Sequence, residues 1–302
     1  MRRTFIGIVL AAVIAVLFAR HLDEAGAARR SDPPRPVTAA DERLLQNAEQ
    51  VLVRQCMARA GFDYTVVTPT EKPFPFRYVL DDVGWARRHG YGSDLLARLR
   101  ARKDPNQEYF RGLTRVRQAA ALVALNGPSP RGLSARLPDG STMTRSDTGC
   151  TTEAQRRLYR DAGTWFQASM VATSLPSTRF ARVTADPQYR HAVRIWSGCM
   201  RARGHAAVDP AQAQARFADS SKASSHPNAT ESRRSEIDFA TAEATCAGSS
   251  GLGALARRLD AHYDQILRAQ AWPLLQERAE LQRRALPAAR LIVRSNDPQP
   301  RS

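Results

Sequence analysis

The sequence predicts an all-α protein, a disulfide-stapled irregular helical bundle with two weakly related halves, at about residues 39–174 and 186–286. Apolar residues recur at helical spacing through most of the chain. Runs of strand-forming residues are nearly absent, and four cysteines are spread along the chain. Hydrophobic residues are 43% and charged residues 25%, the composition of a chain that buries a core. We expect one helical domain over residues 39–286 and a disordered tail over residues 287–302.

The first 27 residues have the pattern of an export segment. Arg2 and Arg3 precede an uncharged apolar run, residues 5–19, and residues 25–27 offer a small-x-small cleavage site. The run is shorter than the roughly 20 residues of a membrane span, and charged residues lie between it and the cleavage site. A cleaved signal peptide and an N-terminal membrane anchor therefore both remain open. Either one predicts a protein that is secreted or anchored on the extracytoplasmic face of the membrane.

The four cysteines are Cys56, Cys150, Cys199 and Cys246. An even number in an exported chain predicts two disulfides, although spacing alone allows three pairings. Reduced structural thiols are the alternative. Zinc binding is disfavoured because the chain has no Cys-x-x-Cys pair and its histidines lack ligand spacing. We therefore predict no metal and no cofactor.

A weak internal repeat favours one of the three pairings. Residues 56–62 (CMARAGF) and 199–205 (CMRARGH) share the pattern Cys-Met-x-x-x-Gly, each at the end of a predicted helix. Each half of the chain then contains one more cysteine near a later helix. The simplest interpretation is two related halves, each closed by its own bridge, Cys56–Cys150 in the first and Cys199–Cys246 in the second.

Capping residues and apolar spacing locate the predicted helices. A capping box at residues 38–41 opens a helix over residues 39–60, and Asp186 followed by Pro187 opens another that ends at Gly204. Further helices are predicted over residues 82–89, 95–102, 105–110, 115–125, 152–172, 236–247 and 252–285, the last with a kink at Pro273. Residues 28–38 predict an extended tether rich in proline and arginine, and residues 126–149 and 219–232 predict loops.

The formal net charge is +16, and nearly all the positive charge is arginine. Such a field attracts anionic cell-wall polymers and lipid headgroups. A compositional origin is the alternative, because the arginine and alanine excess also fits GC-rich codon usage. The arginines are scattered and are not interleaved with aromatic residues, so no specific nucleic-acid groove is predicted.

No catalytic residue is predicted, because the chain contains none of the nucleophile, phosphate-loop or zinc-hydrolase motifs. The best candidate surface contact is the cluster Trp85, His89 and Tyr91, for which burial in the core is the alternative. The sequence therefore favours a non-enzymatic extracytoplasmic protein that binds an envelope or surface partner. An envelope hydrolase acting on peptidoglycan or peptide is the second hypothesis, and an extracellular polyanion or DNA binder is the third.

Several segments together resemble a group of exported, disulfide-containing actinobacterial proteins. The segments lie within residues 45–270 and comprise residues 55–64 (QCMARAGFDY), 85–92 (WARRHGYG), 149–150 with the helix that follows, 196–200 (WSGCM) and 240–246 (ATAEATC). That group has no assigned activity. The resemblance implies export and a helical architecture, and it implies no catalytic residues.

Overall fold

The computed structural model describes residues 35–67, 74, 76–218 and 229–296. The predicted export segment lies outside the described residues, as do residues 28–34 of the tether, 219–228 of the second predicted loop and 297–302 of the tail. Within the described ranges the chain forms eleven α-helices and one two-stranded antiparallel sheet, which confirms the all-α prediction. No helix in these ranges is both long enough and apolar enough to cross a membrane.

The helices and strands follow one another with short connections. In chain order the helices are α1 (Ala39–Arg59), α2 (Val83–His89), α3 (Ser93–Ala101), α4 (Pro105–Gly112), α5 (Arg115–Asn126), α6 (Cys150–Tyr159), α7 (Ala162–Ala185), α8 (Pro187–Ala202), α9 (Pro210–Ala218), α10 (Ala229–Ser249) and α11 (Leu252–Arg294). The strands are β1 (Gly132–Arg136) and β2 (Thr142–Ser146), which lie between α5 and α6 and pair with Gly132 opposite Ser146.

Helices begin in the structure where capping residues mark a helix start in the sequence. Thr38 and Asp41 make the predicted capping box at the start of α1, with the Asp41 amide donating to the Thr38 hydroxyl at 3.2 Å. The Asp82 carboxylate accepts from the Trp85 amide at 2.8 Å and so begins α2. Asp186 caps α8 in the same way. These side chains satisfy amides that the first turn of a helix leaves unpaired.

Two main buried clusters form the core, and α11 runs through both. The Leu45 core contains apolar residues of α1, α6, the start of α7 and the end of α11. The Trp196 core contains residues 78–80, α2, α8, α9, α10 and the start of α11. With 43 residues, α11 is about 65 Å long at 1.5 Å per residue. Its early residue Leu252 is buried in one core and its late residue Ala289 in the other.

These two cores do not follow the boundary predicted between the halves of the chain. Tyr78 and Tyr91 come from the first half but pack in the Trp196 core with the second half. The end of α11 belongs to the second half but packs in the Leu45 core with α1. The repeat therefore identifies the two helices that carry Cys56 and Cys199. It does not divide the protein into two separate halves, because each half also contributes residues to the other core.

Each disulfide ties together two helices of one core, in the predicted pairing. Cys56 of α1 bonds Cys150 at the first residue of α6, with the Cα atoms 5.5 Å apart. Cys199 of α8 bonds Cys246 of α10, with the Cα atoms 5.7 Å apart. Cys150 and Cys246 are both buried. No free cysteine is present among the described residues.

The predicted loop over residues 126–149 contains the β-hairpin, so that prediction is wrong. The turn-forming residues of this segment led to the error, because they are typical of hairpin turns as well as of loops between helices. The Asp139 carboxylate accepts from the Ser141 amide at 2.9 Å, and Gly140 has φ +87°. Ala135 of β1 is fully buried against the helices.

Four further features of the helices differ from the sequence-based expectation. The predicted helix over residues 152–172 is broken at Arg160, which has φ +70°, and Asp161 then caps α7. Helix α9 was not predicted, and α10 begins at Ala229, within the predicted loop over residues 219–232. The predicted disordered tail over residues 287–302 is wrong as far as Arg294, because α11 continues through Pro287 to that residue.

Candidate functional site

The structure brings Trp85, His89 and Tyr91 together but not as one exposed surface. Trp85 and His89 lie one turn apart on α2 with their ring centroids 4.6 Å apart. Tyr91 is buried, only 7% exposed, and stacks on Phe217 of α9. The predicted surface contact is therefore wrong for Tyr91. Helical spacing shows which residues of α2 share a face, but it cannot show that the chain turns inward at Gly90, immediately after α2 ends.

Two fully buried glutamates of α10 fix this turn. Glu236 and Glu243 lie seven residues apart, so they share one face of the helix. Glu236 accepts from the Tyr91 amide at 2.8 Å, from the Ser93 amide at 3.3 Å and from the Ser93 hydroxyl. Arg233 pairs with the same carboxylate at 3.1 Å. These partners of Glu236 are all groups of the protein itself.

Glu243, further along α10, has a similar set of partners. It accepts from the Leu80 amide at 3.0 Å and from the Tyr91 hydroxyl. Burial raises the pKa of Glu243 to about 7, although its hydrogen bonds act in the opposite direction. Burial also raises the pKa of Tyr91 far above its ordinary value. The two glutamates thus attach residues 80–93 to α10, and a buried polar network of this kind is costly unless its bonds are made.

The same region contains a histidine–carboxylate pair beside a serine, the arrangement that a hydrolase would need. His89 Nδ1 lies 3.0 Å from Asp94 Oδ2. The Ser93 hydroxyl, however, donates to Glu236 and not to His89. Neither Ser93 nor His89 lines the three clefts that described residues form beside Asp81, Phe180 and Leu267. The arrangement therefore holds the start of α3 in place and provides no activated nucleophile facing one of these clefts.

An exposed apolar surface lies on α5. Helix α3 and helix α4 bury no residue, and α5 buries only Ala121. The exposed side chains of α5 include Val116 (80%), Leu122 (48%) and Val123 (48%). With the small residues between them they form the α5 face, which we define as Val116, Ala119, Ala120, Leu122 and Val123. Surface apolar residues that cluster in this way mark contact sites more often than scattered ones.

Arginines flank the α5 face, and α5 contains no acidic residue. Arg115 and Arg111 are exposed near its N-terminal end. Arg117 donates to the Gly61 carbonyl at 2.7 Å and lies over the Phe62 ring, 4.7 Å from its centroid. This contact attaches α5 to the end of α1 and leaves the apolar side chains on the outer side.

A second accessible feature is an aromatic cleft of about 460 Å³ where α7, α8 and α9 meet. It is lined by Tyr78, Phe180, Thr184, Tyr189, Arg190, Val193, Val208, Asp209, Pro210 and Ala211. Sequence reasoning missed it because its walls come from three separate segments. A further, smaller cleft is lined by Asp81 and Arg257, which are paired with each other. Among the described residues, no group of three His, Cys, Asp or Glu side chains could hold a metal ion.

No protein-family model, curated protein or solved structure matches this chain. The protein is therefore classified by its own structure, which is an all-α fold with two disulfides, one in each core. The accessible features that distinguish it are an apolar helix face flanked by arginines and an aromatic cleft.

Proposed function

We propose that this is a non-enzymatic, exported protein that docks on anionic lipid headgroups through the α5 face. The observation that carries the proposal is the exposed apolar strip on α5, with Val116 80% exposed, beside arginines and without any acidic residue on the helix. Interfacial helices have this combination, because the apolar side chains enter the headgroup boundary while the cations stay at the anionic surface.

The apolar side chains of the α5 face and the arginines beside it contribute comparable free energies of binding. A fully buried valine or leucine side chain contributes about 1.5–3 kcal/mol relative to an exposed one. Each arginine near an anionic surface adds about 1 kcal/mol. A helix of 12 residues with three exposed large apolar side chains therefore binds weakly by itself. The net charge of +16 adds longer-range attraction that salt screens.

Export is part of the proposal, and two observations support it. Disulfides persist mainly outside the cytoplasm, and this chain has two. The first 27 residues have a basic, then apolar, then small-residue pattern. An uncleaved N-terminal segment would place the helical domain at the membrane surface, where weak docking by α5 is sufficient.

The other hypotheses have less support. An envelope hydrolase needs reactive side chains in a cleft, whereas Glu236 and Glu243 are fully buried and bonded to protein groups. Binding to a wall polymer or DNA would use the arginines alone and would leave the apolar side chains of α5 without a role. The α5 face therefore distinguishes lipid from soluble polyanions.

The test is cosedimentation of the exported form of the protein with vesicles across a salt series. We expect binding to equimolar phosphatidylglycerol and phosphatidylcholine, and much weaker binding to phosphatidylcholine alone. The double variant Val116→Asp, Val123→Asp should bind at least about tenfold more weakly, since about 1.4 kcal/mol is a factor of ten. The matched control is the double variant Ile195→Asp, Leu291→Asp, because Ile195 on α8 is 50% exposed and Leu291 on α11 is 68% exposed.

Two results would count against lipid docking. The first is unchanged vesicle binding by the α5 double variant. The second is an equal loss of binding in the Ile195→Asp, Leu291→Asp control, which would indicate a general effect of added negative charge. If teichoic acid binds and vesicles do not, the wall-polymer hypothesis replaces this one.

A further inference from the structure

The aromatic cleft has the dimensions of a small-molecule site. Its volume of about 460 Å³ lies within the roughly 300–1,000 Å³ that ligand pockets occupy. Phe180 of α7 is 36% exposed at the cleft, and Val208, just before α9, is 63% exposed. Two large apolar side chains therefore face solvent across one concavity, where a ligand could cover them.

Three aromatic rings line the cleft, and two of them are tyrosines whose hydroxyl groups are hydrogen-bonded within the protein. The Tyr78 and Phe180 rings stack with an interplanar angle of 6° and centroids 5.3 Å apart. Tyr189 meets Tyr78 edge-on. The Tyr78 hydroxyl donates to Asp260, and the Tyr189 hydroxyl donates to the Tyr78 carbonyl at 3.4 Å. Both hydroxyls are thus used within the protein.

The other polar side chains at the cleft also make hydrogen bonds within the protein, with one exception. The Thr184 hydroxyl donates to the Phe180 carbonyl at 3.0 Å, within its own helix. Asp209 Oδ1 accepts from the Gln212 amide at 2.8 Å, so this carboxylate is held at the start of α9, where the N-terminal end of the helix offsets its negative charge. The Arg190 guanidinium is exposed and has no hydrogen bond or ion pair with any residue that the structure describes. A sugar would find few partners here, whereas an anion would find a free cation beside an apolar wall.

We propose that this cleft binds a small amphiphilic anion, a medium-chain carboxylate whose chain packs on Tyr78, Phe180 and Tyr189. Its carboxylate pairs with Arg190 at the rim, where the planar guanidinium can donate two parallel hydrogen bonds. The chain displaces water from Val193 and Val208, which gives the apolar part of the binding energy. This site is separate from the α5 face and extends the proposed function to a soluble ligand.

The experiment is isothermal titration of the exported protein with decanoate, decanol and decyltrimethylammonium, each kept monomeric. We expect saturable binding of decanoate, weaker binding of decanol and the weakest binding of the cation. Arg190→Gln should weaken decanoate binding about tenfold and leave decanol binding unchanged, because only the head contact is lost. Ala211→Phe, at an exposed position of the lining, should fill the cleft and abolish binding of both.

The matched control is Arg194→Gln, an arginine one turn further along α8 that does not line the cleft. The proposal is overturned if decanoate shows no saturable binding, if Arg194→Gln weakens it as much as Arg190→Gln, or if Ala211→Phe leaves it intact. Arg190 makes no side-chain bond with the described residues, so Arg190→Gln should fold, and a thermal melt checks this. Vesicle binding by the same variants is a separate readout, so lipid docking and the cleft can fail independently.

Discussion

Gly90 lies directly against the buried side chain of Glu236. A Cβ at position 90 would be 2.9 Å from both the Glu236 Cγ and Oε1 atoms. Gly90 also has φ +53°, a conformation that side chains other than glycine rarely adopt. The turn that buries Tyr91 therefore depends on glycine for two reasons, the backbone conformation and the close approach of α10.

Gly90→Ala should lower the free energy of unfolding by about 2–6 kcal/mol. A positive φ combined with ψ −123° is a backbone conformation almost confined to glycine, which accounts for about 1–3 kcal/mol, and the contact with Glu236 adds an overpacking cost of about 1–3 kcal/mol. The matched control is Gly61→Ala, because Gly61 has φ +79° and a Cβ at position 61 would meet nothing within 4 Å. Urea denaturation measures both variants. Equal losses would mean that the contact with Glu236 contributes nothing.

Glu243 should make the protein less stable as the pH rises from about 5 to 8. Burial raises the pKa of this carboxyl from 4.5 to about 7 in the folded state. Above pH 4.5 the unfolded chain therefore releases a proton that the folded chain keeps, and stability falls until the folded pKa is passed. The shift corresponds to at most about 3 kcal/mol.

Glu243→Gln should remove this pH-dependent loss, because the amide oxygen can still accept from the Leu80 amide and the side chain does not ionise. The control is Glu277→Gln at an exposed position of α11, which should keep the wild-type slope. Chemical denaturation at pH 5, 6, 7 and 8 gives the comparison. If Glu243→Gln retains the full slope, the titrating group lies elsewhere.

Removing either disulfide should cost a similar amount, despite the difference in loop length. The bridges close chain separations of 94 and 47 residues, for which loop-closure entropy gives about 5 and about 4 kcal/mol. Paired alanine variants, one pair for each bridge, should both lower the melting temperature strongly. Peptide mapping without reduction verifies the remaining bridge. A neutral effect of either pair would show that its core is held by packing alone.

The parts of the fold that sequence could predict are those set by local chemistry. Helix amides are satisfied within three residues by Thr38 with Asp41, by Asp82, and by Asp186 before Pro187. The positions of these caps can therefore be identified without tertiary knowledge. The disulfide pairing was predictable because the Cys-Met-x-x-x-Gly repeat reports equivalent helix ends. The hairpin at residues 132–146 was missed because its turn residues are equally typical of a loop.

The candidate sites depend on contacts between distant segments, which sequence patterns do not encode. Glu236 lies 145 residues from Tyr91, and no local signal shows that its carboxylate is buried. The cleft likewise joins Tyr78, Phe180 and Val208 from separate elements. The α5 face could have been noticed, because residues 115–126 contain no acidic residue and many apolar ones. Only the structure shows that these side chains remain exposed.

The end of α11, beyond Pro287, packs in the Leu45 core. Ala289 is fully buried in the Leu45 core, two residues after Pro287, and Leu291 is 68% exposed. Ala289→Asp should therefore lower the free energy of unfolding by about 3 kcal/mol or more, because it buries an unpaired carboxylate. Leu291→Asp should change it by about 0.5 kcal/mol or less. Both substitutions add the same charge near the same helix terminus, so the difference reports burial alone. Equal and small effects in urea denaturation would mean that the chain beyond Pro287 does not pack on α1.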